Sequence, residues 1–176
     1  LKLAKEENLS IVLEGAEEGW RVASELAAAR VPVIIDAQAA LPASFETLGT
    51  HLRNAQILYQ AGVQVSIMGS RDYNNLRQSR MNAGTAVAHG LPYQAALAAI
   101  TLNPAKIWGA EKEIGSIEVG KAADVVIWSG DPLEGQSYPT AVFIAGQSQP
   151  MTSRSTELAA RYKPNSDGIA RPAYRN

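Results

Sequence analysis

Four side chains have the type and placement to take part in chemistry: Glu14, Asp36, Arg71 and Asp72. Glu14 and Asp36 each close a short apolar run, and Arg71 with Asp72 follows a third, Val-Gln-Val-Ser-Ile-Met at 63–68. The carboxylates are either solvated strand ends or groups of a site, and Arg71 has the charge to meet an acidic substrate. Ser70 has neither a Gly-x-Ser-x-Gly turn around it nor a histidine near it in sequence, so it does not read as a nucleophile. The two histidines read as structural. His51 falls on the outward face of a predicted helix, and His89 precedes Gly90, where an imidazole complements the negative end of a helix. The chain has no cysteine, which removes disulfides, thiolate metal sites and thiol nucleophiles.

These residues need elements to hold them, and the pattern supplies three repeats of strand then helix. Residues 10–14 form a short apolar run stopped by Gly15. Ala16, Trp20, Ala23, Leu26 and Ala27 then recur at helical spacing. Residues 31–36 predict a second strand, with Pro32 near its start where a missing N–H matters least. Phe45, Leu48, Leu52, Ala55, Leu58 and Tyr59 mark a second amphipathic helix, and residues 63–68 a third strand. Crossovers of about 15 residues between strands point to parallel βα units, because parallel neighbours need a long connection. Helices are predicted over 76–89, over 92–101 with Pro92 in the first turn, and in one further turn from Asn103-Pro104 to Trp108. Trp20, Trp108 and Trp128 fall on apolar faces and read as core residues before they read as ligand platforms.

With 176 residues, 46% hydrophobic and 19% charged, the chain has the composition of a globular domain. Sixteen basic against seventeen acidic residues give a net charge of −1 and no basic run, so nothing marks a nucleic-acid partner. No apolar run approaches the roughly 18 residues of a membrane span, and residues 1–10 lack a signal-peptide core. A start at Leu1 instead of Met leads us to expect a fragment of a longer chain.

After Gly109 the texture changes. Val119, residues 125–128 and residues 141–145 predict short strands joined by Gly, Pro and Asp turns, followed by one helix over 156–162 and an extended polar arm over 164–176. The run Ala-Ile-Thr-Leu-Asn-Pro-Ala-Lys-Ile-Trp-Gly, followed by Gly-Ser-Ile-Glu-Val-Gly-Lys-Ala-Ala-Asp-Val-Val-Ile-Trp, resembles the carboxyl-terminal third of the amidohydrolase superfamily. It looks most like the imidazolonepropionase-like and prolidase-like branch, and the resemblance extends from about Ile11 to Tyr162.

The resemblance implies an α/β fold: the last three units of a (β/α)8 TIM-type barrel over 1–109, part of a small β-sandwich over 110–150, and a tail over 151–176. An arc of three barrel strands leaves two unpaired edges and no closed core. The chain is therefore expected to be truncated, to be a proteolysed remnant, or to assemble with another chain, as the missing amino-terminal portion or as a homo- or hetero-oligomer. The family also implies hydrolysis of C–N bonds in a small-molecule substrate by water on a divalent metal, zinc before others. Its early His-x-His pair would lie before Leu1. Its strand-end imidazole falls at Gly15, after Glu14. Its proton-accepting aspartate falls at Ser70, with Asp72 two residues later, which makes Asp72 the catalytic candidate. Glu14 and Asp36 end barrel-type strands at the face where such barrels keep their chemistry, and with Arg71 they are the substrate-binding candidates. These departures imply either fewer metal ligands or none, and a rival reading: a catalytically retired paralogue that serves as a binding or assembly partner of an active enzyme.

Overall fold

The computed structural model describes residues 1–39, 41–42, 44–69 and 78–163. Three short strands, β1 (Leu13–Glu14), β2 (Val33–Ile35) and β3 (Val65–Ile67), form one sheet in the order β1-β2-β3. Both pairings are parallel, with Leu13 opposite Val33 and Val33 opposite Val65. The parallel reading of the sequence is thus met. Residues Val33, Ile35, Val65 and Ile67 are buried, and Ser66 between the last two is buried as well. Buried residues at consecutive positions are the mark of a strand covered on both faces.

Helices α2 (Ala23–Ala28), α3 (Asn54–Gln60), α4 (Ser79–Ala88) and α5 (Tyr93–Ala99) provide that cover. Each buries a pair one turn apart: Ala23 and Leu26, Ala55 and Leu58, Ala83 and Ala86, Ala96 and Ala99. Residues three apart share a helix face, and the alanines let backbones come close. α6 (Leu102–Ile107) follows, and its Asn103 side chain donates to the Val65 carbonyl at 2.7 Å. Ser66 Oγ donates to the Ala99 carbonyl at 3.0 Å, so the one polar residue inside β3 is satisfied by the helix above it. A short helix α1 (Lys2–Glu6), which the periodicity did not mark, precedes the sheet.

The second sheet is antiparallel: β4 (Val125–Trp128), β5 (Pro139–Ile144) and β6 (Gln147–Ser148), in that order. It is joined to the first unit by Leu133, which is buried within the same core as the parallel strands. Arg80, at the start of α4, donates to the carbonyls of Pro132 and Glu134 at 3.1 and 2.7 Å, and its guanidinium lies 4.9 Å from the Trp128 ring centre. Gly84 lets the Leu133 loop approach, since a Cβ there would stand 2.6 Å from the Leu133 carbonyl oxygen. Tyr93 Oη donates to Asp131 Oδ1 at 2.9 Å. Burial first, and then this hydrogen bond and charge, push the Tyr93 hydroxyl above its ordinary pKa. Helix α7 (Arg154–Tyr162) ends the described chain, opened by a capping box between Ser153 and Thr156.

Several expectations are corrected. The helix predicted from Phe45 to Tyr59 is a single 3-10 turn, Phe45–Thr47, followed by α3. Phe45 is 90% exposed, because Gly49 between the two is held through its backbone by Trp20 and Glu18 and cannot join a continuous helix. Likewise the helix predicted after Gly15 begins as a 3-10 turn, Gly19–Val22, before α2. Pro92 caps α5 from outside its first turn, with ψ at 139°. Val119 lies in a turn instead of a strand, fully exposed. Trp108, expected in the core, is 73% exposed. The arm predicted over 164–176 lies outside the described residues.

The Leu133 junction is open to direct test. Leu133→Ala is expected to destabilise the protein by about 2–5 kcal/mol and Gly84→Ala by about 1–3 kcal/mol in urea denaturation. A change below about 0.5 kcal/mol in both would mean that the two sheets do not share a core. The raised Tyr93 group stabilises fully below its unfolded pKa near 10, and that contribution disappears as pH rises through the folded value. Tyr93→Phe is therefore expected to flatten the alkaline limb of the stability profile, read as melting temperature against pH.

Candidate functional site

The carboxyl ends of the three parallel strands bring Glu14, Gly15, Asp36 and Met68 to one end of the sheet. Gly15 N–H donates to the Ile34 carbonyl at 2.9 Å and Met68 N–H to the Ile35 carbonyl at 3.0 Å, which carries the ladder one residue past each strand. Gly15 has φ of 91°, a left-handed conformation that glycine adopts without strain and L side chains rarely do. An imidazole at this position would strain the backbone, so the glycine belongs to the local fold as well as to the site.

Asp36 is held by two hydrogen bonds. Its Oδ1 accepts from the Gln38 N–H at 2.9 Å, an Asx turn, and from Asn82 Nδ2 at 2.8 Å. Asn82 reaches it from α4 and also donates to the Met68 carbonyl at 2.7 Å, tying the ends of β2 and β3 together. Glu14 is exposed at the end of β1. Arg71, Asp72 and Ser70 lie outside the described residues.

Beside Asp36 is a small cleft lined by Glu17, Ile35, Asp36, His51, Leu52 and Asn54. Asn54 in its lining belongs to a network that joins the segment after β1 to the segment after β2. Trp20 Nε1 donates to the Gly49 carbonyl at 2.8 Å, and Gly49 N–H donates to Glu18 Oε1 at 2.6 Å. Asn54, nearly buried at the start of α3, accepts from the Trp20 N–H and donates to the Ala16 carbonyl, both at 2.9 Å. Arg21 pairs with Glu18 at 2.8 Å and covers the Trp20 ring at 5.0 Å. A larger cleft at the opposite end of the sheet is lined by Tyr59, Gln64, Asn103 and Lys106, where the Gln64 and Asn103 amides bond to backbone carbonyls. It belongs to the frame.

Both histidines behave as structural groups. His51 Nδ1 accepts from the Arg53 N–H at 3.0 Å, and its ring tilts against Trp20 at 5.5 Å. It sits in the turn before α3 instead of on a helix face. His89 Nδ1 bonds to the Thr85 carbonyl at 2.8 Å at the end of α4. It lies seven residues beyond Asn82, about 10 Å along the helix. Among the described residues no three His, Asp or Glu side chains come together to hold a metal ion. With glycine at position 15, the described residues at this end do not supply the donor set of a divalent metal site.

The family model for "Amidohydrolase family" matches residues 2–153. The chain belongs to the amidohydrolase family. Over 94 residues it is 34% identical to the amidohydrolase tasK of Hapsidospora irregularis, covering 53% of this chain and 10% of that protein. Over 100 residues it is 36% identical to an imidazolonepropionase of Fusobacterium nucleatum, covering 53% of this chain and 23% of that one. A crystal structure of an amidohydrolase from Thermotoga maritima superposes with a TM-score of 0.77 at 31% identity, over 84% of this chain and 38% of that chain. This amidohydrolase chain thus spans well under half the length of these relatives.

Sequence reasoning singled out Asp36 but missed Asn82, Asn54 and Trp20 as the groups that hold its surroundings. The signal for Asn82 was a lone amide beside Ala83 and Ala86 on the buried stripe of α4, a polar residue where only a specific partner makes burial tolerable. Asn54→Ala takes the acceptor from the Trp20 N–H and removes one of the two donors to the Ala16 carbonyl, which keeps the Gly19 N–H. It should cost about 1–3 kcal/mol by chemical denaturation, and a neutral result would show that the segment is held some other way.

Proposed function

We propose that this chain forms the last three βα units of an amidohydrolase (β/α)8 barrel over 1–109, with strands of a small β-sandwich over 110–150 and a tail over 151–176. The completed protein then hydrolyses a C–N bond in a small amide, cyclic imide or dipeptide-like substrate. The observation that carries this reading is the arc of three parallel strands with Glu14 and Asp36 at its carboxyl ends, the face where barrels of this kind hold substrate. The likeness to relatives such as the imidazolonepropionase supports the reaction class.

In this reading Asp36 binds and orients substrate through N–H donors, its Oδ1 already held by Asn82 and Gln38. Glu14 stands at the neighbouring strand end. Arg71 meets an acidic part of the substrate, and Asp72 takes the proton from the attacking water. Family members are in general metal-dependent. Ligands for zinc would have to come from strands that complete the barrel, on this chain's own polypeptide or on another chain.

One observation favours a second reading, a retired paralogue that binds or assembles with an active enzyme: the strand-end glycine at position 15 with φ of 91°. The two readings separate in one assay. The barrel-complete protein, saturated with zinc, is expected to turn over N-acyl amino acids, cyclic imides or Xaa-Pro dipeptides, and Asp72→Asn to lower kcat/KM by about 10²-fold or more. No bound metal and no turnover across these classes would leave the partner reading. The 176-residue chain by itself is expected to be inactive, and metal-dependent hydrolysis by it would refute the composite site.

A further inference from the structure

No residue of helix α7 is buried, and Leu158 and Tyr162, one turn apart on a single face, are 38% and 48% exposed. A helix this short is marginal in water unless it packs on something, and its capping box supplies local support only. Arg154, Glu157 and Arg161 line the adjoining face, and neither arginine forms an ion pair among the described residues. The family match ends at residue 153, directly before this helix, so α7 lies outside the matched frame.

Charge is segregated along the chain. Residues 1–109 hold nine acidic and nine basic side chains, residues 110–150 six acidic and two basic, and residues 151–163 one acidic and three basic. The parallel unit is thus neutral, the second sheet with its turns is strongly acidic, and the α7 segment is basic. Glu113, Glu118, Asp124, Asp131 and Glu134 are all exposed, whereas Lys121, one of the two basic groups there, is tied to Glu118 at 3.2 Å. The second sheet also leaves apolar surface open. Val126 on β4 lies opposite Val142 on β5, and Ile144 follows two residues on, on the same face. Val126 and Ile144 are exposed, and the exposed Asp124 stands two residues before Val126.

We infer that α7 of one copy docks on the second sheet of another, Leu158 and Tyr162 against Val126 and Ile144, with Arg154 and Arg161 meeting the acidic 110–150 unit. Each copy holds one such helix and one such face, so a two-fold pair uses both. A second copy is the occupant because helix and sheet unit have opposite charge and each leaves apolar side chains open. Within one chain the helix stays unburied although only residues 149–153 separate it from β6. A nucleic acid or an anionic membrane would match the charge of α7 and leave the sheet face uncovered. The inference is independent of the hydrolase reading.

Sedimentation velocity of the 176-residue chain is expected to give a dimer at low salt. Raising NaCl from about 50 mM to about 500 mM should weaken it at least about tenfold. Leu158→Asp and Ile144→Lys should each weaken it by a similar factor and keep the melting temperature, since both side chains are exposed. Mixed together, the two variants should pair at concentrations where neither does alone, because the intact helix of one meets the intact sheet of the other. If Ile144→Lys does not fold, the salt series and Leu158→Asp still decide. A monomer at every concentration, a dimer indifferent to either substitution or to salt, or a mixture of folded variants that stays monomeric would each overturn the inference. So would α7-dependent binding to phosphatidylserine vesicles or to nucleic acid by a chain that stays monomeric, which would assign the helix to that surface.

Discussion

Parallel strands cannot be joined by tight turns, and everything else in this structure follows from that constraint on the ladder of β1, β2 and β3. Each return to the starting end of the sheet requires a crossover, and the crossover helices cover both faces of the strands they link. Covering leaves the strand sides dry and only the ends accessible. Polar side chains that follow the last ladder residue, such as Asp36, are therefore the ones that reach the sheet's open end while resting on a rigid frame. The same constraint explains why Ser66, inside the ladder, needs the Ala99 carbonyl as a partner.

The strand ends are kept in register by side chains that come from helices. Asn82 bridges β2 and β3 from α4, and Asn54 ties the segment after β1 to α3. Each is a buried amide that bonds to two groups distant in sequence. The geometry of the site thus depends on how the helices dock. α4 also holds the second sheet, through Arg80 and through the close approach of Gly84 to Leu133. One helix therefore positions the candidate site and carries the junction between the two sheets.

Family membership rests on the frame more than on the site. The Asn103-Pro104 turn and the run from Gly115 to Trp128 carry the resemblance, and Asn103 bonds to β3 as a piece of architecture should. Of the candidate site residues, Arg71 and Asp72 lie outside the described residues. Glycine at position 15 has a left-handed backbone conformation that disfavours any larger side chain there. Packing constrains the frame at many residues, while chemistry depends on a few.

The sequence by itself determined the class of the fold. Apolar runs of strand length separated by helical spacing leave few options other than parallel βα units, and the three predicted strands occur where the runs are. It also brought out Asp36 and Glu14, since a carboxylate directly after an apolar run is visible without coordinates. The extent of the helices was not legible. Phe45, Leu48 and Leu52 have helical spacing, but periodicity records only where apolar residues fall, and Trp20 and Glu18 claim the backbone of Gly49 from about 30 positions away. Nor was the environment of Asp36 legible. Only the tertiary structure placed Asn82, 46 residues distant, against its carboxylate, because a hydrogen bond between side chains on different elements leaves no periodic trace in the chain.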